Sequence, residues 1–87
     1  MNVDEMFEKL GYEKQEIIDE DTNELICIKY TKNIFEDEYQ YIVFDTKHNL
    51  LNTTREMRNF YRTVTSIISM QELQAINKKV EELGWLE

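Results

Sequence analysis

The sequence predicts an α+β fold in which an antiparallel sheet of three to five strands packs against an N-terminal and a C-terminal helix. Two observations predict it. Apolar residues recur at helical spacing at both ends of the chain, and short runs of β-branched and aromatic residues, separated by polar turns, fill the middle. With 87 residues, no proline and no low-complexity linker, we expect a single domain over residues 1–87.

The C-terminal helix has the most clearly marked boundaries. Ser69, followed three residues later by Glu72, is a capping box, so the helix should run over about residues 70–83. Gly84 then stands where a residue of positive φ ends a helix. Trp85 should fold back over the last turn and bury its ring against the N-terminal helix. The apolar face of this helix is predicted to hold Leu73, Ile76, Val80 and Leu83.

The N-terminal helix uses the same type of boundary signal. Asn2 is a suitable cap, with Glu5 at the acidic position of a capping box. Gly11 ends the helix, and Tyr12 is placed to fold back onto Phe7. The apolar stripe of this helix is formed by Val3, Met6, Phe7 and Leu10.

The middle of the chain is predicted to form strands. The three clearest are Glu13 to Ile18, Leu25 to Tyr30 and Tyr39 to Asp45, and Leu50 to Thr54 is a weaker fourth. Both faces of the third strand carry apolar side chains, so one face should meet the helices while the other stays half-exposed. That second face, with Tyr39, Tyr41 and Val43, is available to a partner.

Residues 55–68 fit two structures. Their apolar residues recur at helical spacing, but Thr63 to Ile68 is rich in the β-branched residues typical of strands. We predict a short helix or turn at 55–61 and a strand at 63–68. The alternative is one helix over the whole segment.

The charge of the chain is strongly asymmetric. The net charge is −8, with −9 in residues 1–45, +3 in 46–71 and −2 in 72–87. An acidic protein is repelled by nucleic-acid phosphates and by anionic membranes, so we expect no direct binding to either. The simplest role of the acidic excess is solubility.

No catalytic constellation is recognisable in the sequence. Two glycines, both assigned to helix ends, cannot build a phosphate-binding loop. His48 falls in a predicted turn and Cys27 in a strand without a local cation, so both are interpreted as ordinary residues. We therefore expect a protein that is not an enzyme and has no catalytic residues, metal or cofactor. A small-ligand cleft lined by tyrosines is the remaining alternative.

The two ends of the chain resemble a known group of proteins. MFEKLGYE at residues 6–13 and MQELQAINKKVEELGWLE at residues 70–87 are similar to the ends of short, mostly uncharacterised proteins encoded by phages and prophages of low-GC Gram-positive bacteria. The resemblance implies an accessory protein in the cytosol of a bacterial host, where it binds a host protein.

Charge and resemblance together suggest an inhibitor of a host protein. Its carboxylates would occupy a basic groove meant for nucleic acid, for example in a defence nuclease. The alternative is an assembly module that self-associates or docks on a phage protein through aromatic side chains. The candidate partner-binding residues are Asp19, Glu20, Asp21, Glu24, Glu36, Asp37, Glu38, Tyr39 and Tyr41.

Overall fold

A computed structural model describes residues 2–58, 62–65 and 67–86, in which two helices cover one face of an antiparallel sheet. The predicted α+β fold is therefore confirmed. Sheet order follows chain order, so the first and fifth strands lie at the edges. The elements are α1 (Val3–Lys9), β1 (Glu13–Ile18), β2 (Leu25–Phe35), β3 (Glu38–Asp45), β4 (Leu50–Met57), β5 (Arg62–Thr65) and α2 (Met70–Glu82).

The hairpin of β2 and β3 is longer than the sequence pattern indicated. β2 continues five residues beyond the predicted end at Tyr30, because the two strands pair from Cys27 and Asp45 as far as Phe35 and Glu38. A two-residue turn joins them, with Glu36 at φ 41°. The Asn33 side-chain amide donates to the Glu36 carbonyl oxygen at 2.9 Å and holds this turn.

The prediction for residues 55–61 is wrong at its start. Residues 55–57 continue β4 up to Met57 and pair with the first residues of β3. Eight residues of continuous pairing outweigh the helical spacing of the apolar side chains, since strand propensity depends on the neighbours a strand finds. Residues 59–61 lie outside the described part. The predicted strand at 63–68 is observed as β5, one residue earlier and ending at Thr65; residue 66 also lies outside the described part.

Aromatic side chains organise the core between the helices and the sheet. Phe7 of α1 stacks on Tyr30 of β2 with 3.9 Å between ring centroids, and both rings meet Phe44 of β3 edge-on. Edge-to-face and offset-stacked pairs are the favourable aromatic geometries. The buried core consists of Val3, Phe7, Tyr12, Ile28, Tyr30, Ile42, Phe44, Ala75 and Ile76.

Both helices end in the predicted way. After α1, Gly11 has φ 95° and the Tyr12 N–H donates to the Phe7 carbonyl at 3.0 Å. After α2, Gly84 has φ 73° and the Trp85 N–H donates to the Val80 carbonyl at 3.1 Å. These are the long hydrogen bonds of Schellman motifs, which need a residue that tolerates positive φ.

Both predicted helix starts are confirmed as well. The Asn2 side chain accepts from the Glu5 N–H at 2.8 Å. At α2, Ser69 and Glu72 form the complete capping box. These bonds satisfy N–H groups that would otherwise have no partner in the first turn.

The buried face of α2 differs from the predicted one. Leu73 was assigned to the apolar face but is exposed, whereas Ile76 is buried, with Val80 and Leu83 beside the core. The helix is rotated because Glu72 points inward to polar groups of the sheet. The fully buried residues of α2 are Glu72, Ala75, Ile76 and Lys79.

Trp85 is half-buried, although its ring was expected to be buried against the N-terminal helix. Its ring packs beside Phe44 of β3 with 5.9 Å between centroids. The indole therefore fastens the end of α2 to the sheet.

We expect Trp85→Ala to lower the free energy of unfolding by about 2 kcal/mol, since half-burial removes less apolar surface from water than the ~3–5 kcal/mol case of a fully buried ring. Leu86→Ala is the control, because Leu86 is 75% exposed, and it should change stability by less than about 0.5 kcal/mol. Urea melts measure both. If Trp85→Ala matches the parent, the indole has no role in stability and is free to contact a partner.

Candidate protein-binding surfaces

The N-terminal part of the chain forms an acidic edge, which we define as residues 2–24. It comprises α1, β1 and the turn after β1. β1 is one of the two edge strands of the sheet, and all six of its residues are exposed. The acidic edge carries nine carboxylates and two lysines, a net charge of −7, and eight of the nine carboxylates are exposed. Nearly the whole net charge of the protein is therefore concentrated on one side.

The seven predicted carboxylates do not form one site. Asp19, Glu20, Asp21 and Glu24 lie in the β1–β2 turn and belong to the acidic edge, whereas Glu36, Asp37 and Glu38 lie at the β2–β3 turn. Successive turns of an antiparallel sheet lie at opposite ends. The eleven residues of β2 separate the two groups, a span of about 35 Å at about 3.3 Å per residue. A single small groove in a partner cannot contact both groups.

The remaining carboxylates of the acidic edge were not among the predicted site residues. They come from α1 and β1, and only the folded structure brings them beside the β1–β2 turn. The signal in the sequence was the net charge of −9 in the first half. The missing information was the strand order that leaves β1 outermost. These residues are Asp4, Glu5, Glu8, Glu13 and Glu16.

One lysine ties α1 to β1 within the acidic edge. The Lys14 ammonium lies 3.0 Å from an Asp4 carboxylate oxygen and 3.3 Å from one of Glu16. The Tyr30 hydroxyl donates to the other Asp4 oxygen at 2.9 Å. Partial burial alone would raise the pKa of Asp4, but the hydrogen bonds from Lys14 and Tyr30 outweigh it and hold that pKa below its ordinary value. Asp4 is therefore charged at neutral pH.

A groove of about 390 Å³ runs between α1 and β1. Carboxylates stand along it and aromatic rings form its floor. The Lys14 ammonium also reaches it, already paired with two carboxylates. The carboxylates are those of Asp4, Glu8 and Glu13, and the rings those of Phe7, Tyr12 and Tyr30.

The sheet face opposite the helices, the open face, carries the two predicted tyrosines. Tyr39 and Tyr41 are two residues apart on β3, with ring centroids 6.5 Å apart and nearly parallel planes. Arg58 places its guanidinium carbon 4.0 Å from the Tyr39 ring centroid and donates to the Tyr41 hydroxyl at 3.0 Å. Lys29 holds its ammonium 4.4 Å from the Tyr41 centroid. The rings are thus covered by cations, an arrangement of cation–π pairs.

Arg58 is the residue that holds this open-face cluster together. Besides contacting both tyrosines, its Nε donates to a Glu56 carboxylate oxygen at 2.8 Å. Hydrogen bonds to Tyr41 and Glu56 raise the pKa of Arg58 above its ordinary value. The open face therefore presents a fixed cationic and aromatic centre on a protein whose edge is strongly acidic.

A buried polar cluster joins α1, β3 and α2, and the sequence analysis did not identify it. The Tyr12 hydroxyl donates a hydrogen bond to Glu72, and the Gln40 amide donates to the same carboxylate at 3.0 Å. All three side chains are buried. Gln40 is the residue from which the sequence could have revealed the cluster. It alternates with Ile42 and Phe44 on the buried side of β3, and a buried polar side chain needs a hydrogen-bond partner.

Glu72 is charged despite its burial. Burial would raise its pKa, but hydrogen bonds from the Tyr12 hydroxyl and the Ser69 backbone N–H outweigh this and lower the pKa of Glu72 below its ordinary value of 4.5. Burial and the Glu72 carboxylate raise the pKa of Tyr12, which stays protonated and donates. Arg55 lies opposite Gln40 on β4, and its Nε is buried without a hydrogen-bond partner among the described residues. The cluster fastens the start of α2 to the sheet.

Within the part of the chain that the structure describes, the histidine and the cysteine take part in no constellation of nucleophile and base. His48 lies in the β3–β4 turn with its Nδ1 2.9 Å from an Asp45 oxygen, and the ring is mostly exposed. Burial raises the pKa of the half-buried Cys27 thiol, which lowers its thiolate fraction. Within residues 2–58, 62–65 and 67–86, no three His, Cys, Asp or Glu side chains converge as metal ligands would.

Comparison with known proteins gives no match to a family model, to a curated protein or to a solved structure. The resemblance of the chain ends to phage-encoded proteins therefore stays a prediction. Neither described helix has the length and apolar character to cross a membrane. The function has to be argued from the surfaces described above.

We expect Glu72→Gln to lower the free energy of unfolding by about 2 kcal/mol at pH 7, since it removes charge-assisted bonds from Tyr12 and Gln40. A lowered folded pKa stabilises the protein above the ordinary value of 4.5. That stabilisation disappears as the pH falls through the folded pKa. The difference between variant and parent should therefore shrink in urea melts below about pH 4.

Glu81→Gln on the exposed side of α2 serves as the control and should leave stability unchanged at every pH. A constant difference between Glu72→Gln and the parent from pH 7 to pH 3 would contradict the charged state assigned to Glu72.

Proposed function

We propose that this protein is a non-enzymatic accessory protein that binds a basic partner protein through its acidic edge. The observation that carries the proposal is the concentration of nine carboxylates, eight of them exposed, on α1, β1 and the β1–β2 turn. A single-sign field over one surface accelerates the encounter with an oppositely charged surface and disfavours wrong partners.

The partner class we propose is a protein whose basic groove ordinarily takes nucleic acid. Such a groove is built to hold closely spaced negative charges, and the carboxylates of the acidic edge supply them. A defence nuclease of a bacterial host is one protein of this class. The similarity of the chain ends to phage-encoded proteins supports that setting, and the inhibitor would act by occupying the groove.

The charged turn at the far end of the sheet offers an internal control. Glu36, Asp37 and Glu38 lie about 35 Å from the β1–β2 turn, at the opposite end of the sheet. Neutralising three carboxylates of the acidic edge, or the three of this turn, changes the net charge by the same amount. The two variants therefore separate binding by the acidic edge from an effect of total charge.

We expect the parent to retain a nucleic-acid-binding protein from a Gram-positive lysate at 50 mM salt and to release it at 500 mM. Glu13→Gln/Glu16→Gln/Glu20→Gln should lose this capture, whereas Glu36→Gln/Asp37→Asn/Glu38→Gln should keep it. The captured protein, once purified, is loaded with a fluorescent DNA duplex. The parent should displace the duplex and the acidic-edge variant should not.

Two results would contradict the proposal. One is that capture survives neutralisation of the acidic edge. The other is that the captured protein retains its DNA when the parent is added in excess.

A second candidate function is assembly, through self-association or docking on a phage protein. The observation favouring it is the open face, where Tyr39 is half-buried beneath Arg58, Lys29 lies over Tyr41, and Cys27 and Val43 are also half-buried. Aromatic side chains and arginine are enriched in interface centres.

If assembly is correct, sedimentation at high protein concentration should detect a dimer that persists at 500 mM salt. Tyr39→Ala should dissociate it. Leu73→Ala should not, because Leu73 is 41% exposed on α2, which packs on the opposite face of the sheet. A monomer at all concentrations excludes self-association and leaves only docking on another protein.

A further inference from the structure

In the described part of the chain, no strand lies beside the outer edge of β1. β1 pairs with β2 alone, and every residue of β1 is exposed. No other backbone hydrogen bond involving Glu13–Ile18 is found among the described residues. In an antiparallel strand, alternate residues direct their N–H and C=O groups away from the neighbour. β1 therefore presents a row of unpaired donors and acceptors, which is the surface that strand addition uses.

The side chains flanking this edge differ between its two sides. Glu16 lies opposite the buried Ile28, so it faces the helix side of the sheet, near the groove with Asp4 and Glu8. Ile17 lies opposite Cys27 and faces the open side, where it is 38% exposed. An added strand would thus meet Glu16 and the α1 carboxylates on the helix side, and Glu13, Gln15 and Ile17 on the open side.

A second copy of this chain does not fit the edge. Two β1 strands side by side would bring two acidic edges of net charge −7 together. Like charges on adjacent strands are destabilising. A strand with an acidic or neutral sequence gains nothing from these carboxylates, whereas a basic strand is attracted by all of them.

We propose that β1 binds an extended basic segment of the partner protein as an additional strand of the sheet. Lysine or arginine side chains on alternate positions face the helix side, near Glu16, Glu8 and Asp4, and apolar side chains face Ile17. One basic side chain reaches the groove between α1 and β1, where its charge meets the carboxylates of Asp4, Glu8 and Glu13. This inference rests on the proposed function and specifies how the partner is recognised.

Two features of β1 affect the binding of a basic segment. Lys14 would repel such a segment, but its ammonium is already paired with Asp4 and Glu16. The register between β1 and β2 shifts between Ile17 and Ile18, and such irregularities twist a strand and interrupt its edge. The docking site is therefore the first five residues of β1, from Glu13 to Ile17.

The test uses a defined peptide in place of the partner. The probe is an eight-residue peptide of alternating lysine and valine, with both ends blocked and a fluorophore attached. In an extended peptide, alternate N–H groups point to opposite edges. Two analogues carry N-methyl groups on alternate residues, so that each analogue blocks the N–H groups of one edge. They keep the charge but lose the N–H donors of that edge. Fluorescence anisotropy gives the three affinities, and amide hydrogen exchange of the intact protein is followed by NMR.

We expect one of the two methylated analogues to bind at least tenfold more weakly than the unmodified peptide. Outward-facing amide protons of residues 13–17 should become protected when the unmodified peptide binds. Glu8→Gln/Glu16→Gln should weaken binding at least fivefold. Glu36→Gln/Asp37→Asn, which removes the same charge at the far end of the sheet, should not.

Other results overturn the inference in distinguishable ways. If all three peptides bind equally in a salt-sensitive manner and β1 amides gain no protection, strand addition is wrong but charge recognition by the acidic edge stands. If no peptide binds, or if the two charge variants behave alike, strand addition by a basic segment is wrong. The lysate and displacement experiment then decides separately on the proposed function.

Discussion

The organisation of this protein depends on one packing constraint, the stack of Phe7 on Tyr30 with Phe44 against both rings. It places α1 over the first strands, and Ala75 and Ile76 bring α2 onto the same face. With seven and thirteen residues, the helices are about 10 and 20 Å long. They cannot cover both faces of a five-stranded sheet whose longest strand spans about 35 Å. The open face and the outer side of β1 therefore remain uncovered. These two uncovered surfaces are the candidate binding surfaces.

The two helix ends put aromatic side chains where they connect separate parts of the fold. Each Schellman motif reverses the chain direction and is followed immediately by an aromatic residue, Tyr12 after α1 and Trp85 after α2. Tyr12 packs edge-on against Phe7 and donates to Glu72, so the end of α1 is joined to the start of α2. Glu72 accepts from the Ser69 N–H as well, which makes one carboxylate both a helix cap and a tertiary contact. Residues that cap a helix thus also make contacts between distant parts of the chain, and the spacing of apolar residues in the sequence does not reveal those contacts.

Features specified by neighbours in the sequence were predictable, and features specified by distant contacts were not. The caps at Asn2, Ser69, Gly11 and Gly84 depend on residues within one or two turns, and all were found as expected. Residues 55–57 and the rotation of α2 depend on partners far along the chain, namely β3 and the Tyr12–Gln40 pair, so helical spacing misjudged both. The predicted carboxylates illustrate the same limit. Their sign and abundance were readable, but their division between two ends of the sheet required the strand order.

The charges on β1 have two effects that do not conflict. An exposed edge strand invites pairing with any other strand, and charged side chains on the edge are a common protection against it. Here the protection is almost entirely of one sign, because the lysine within the strand is neutralised by Asp4 and Glu16. Repulsion then acts on further copies of this chain and on acidic segments, while attraction acts on basic ones. The same carboxylates that keep the edge from aggregating therefore select the type of strand that can pair with it, and the unpaired backbone of β1 stays accessible for recognition.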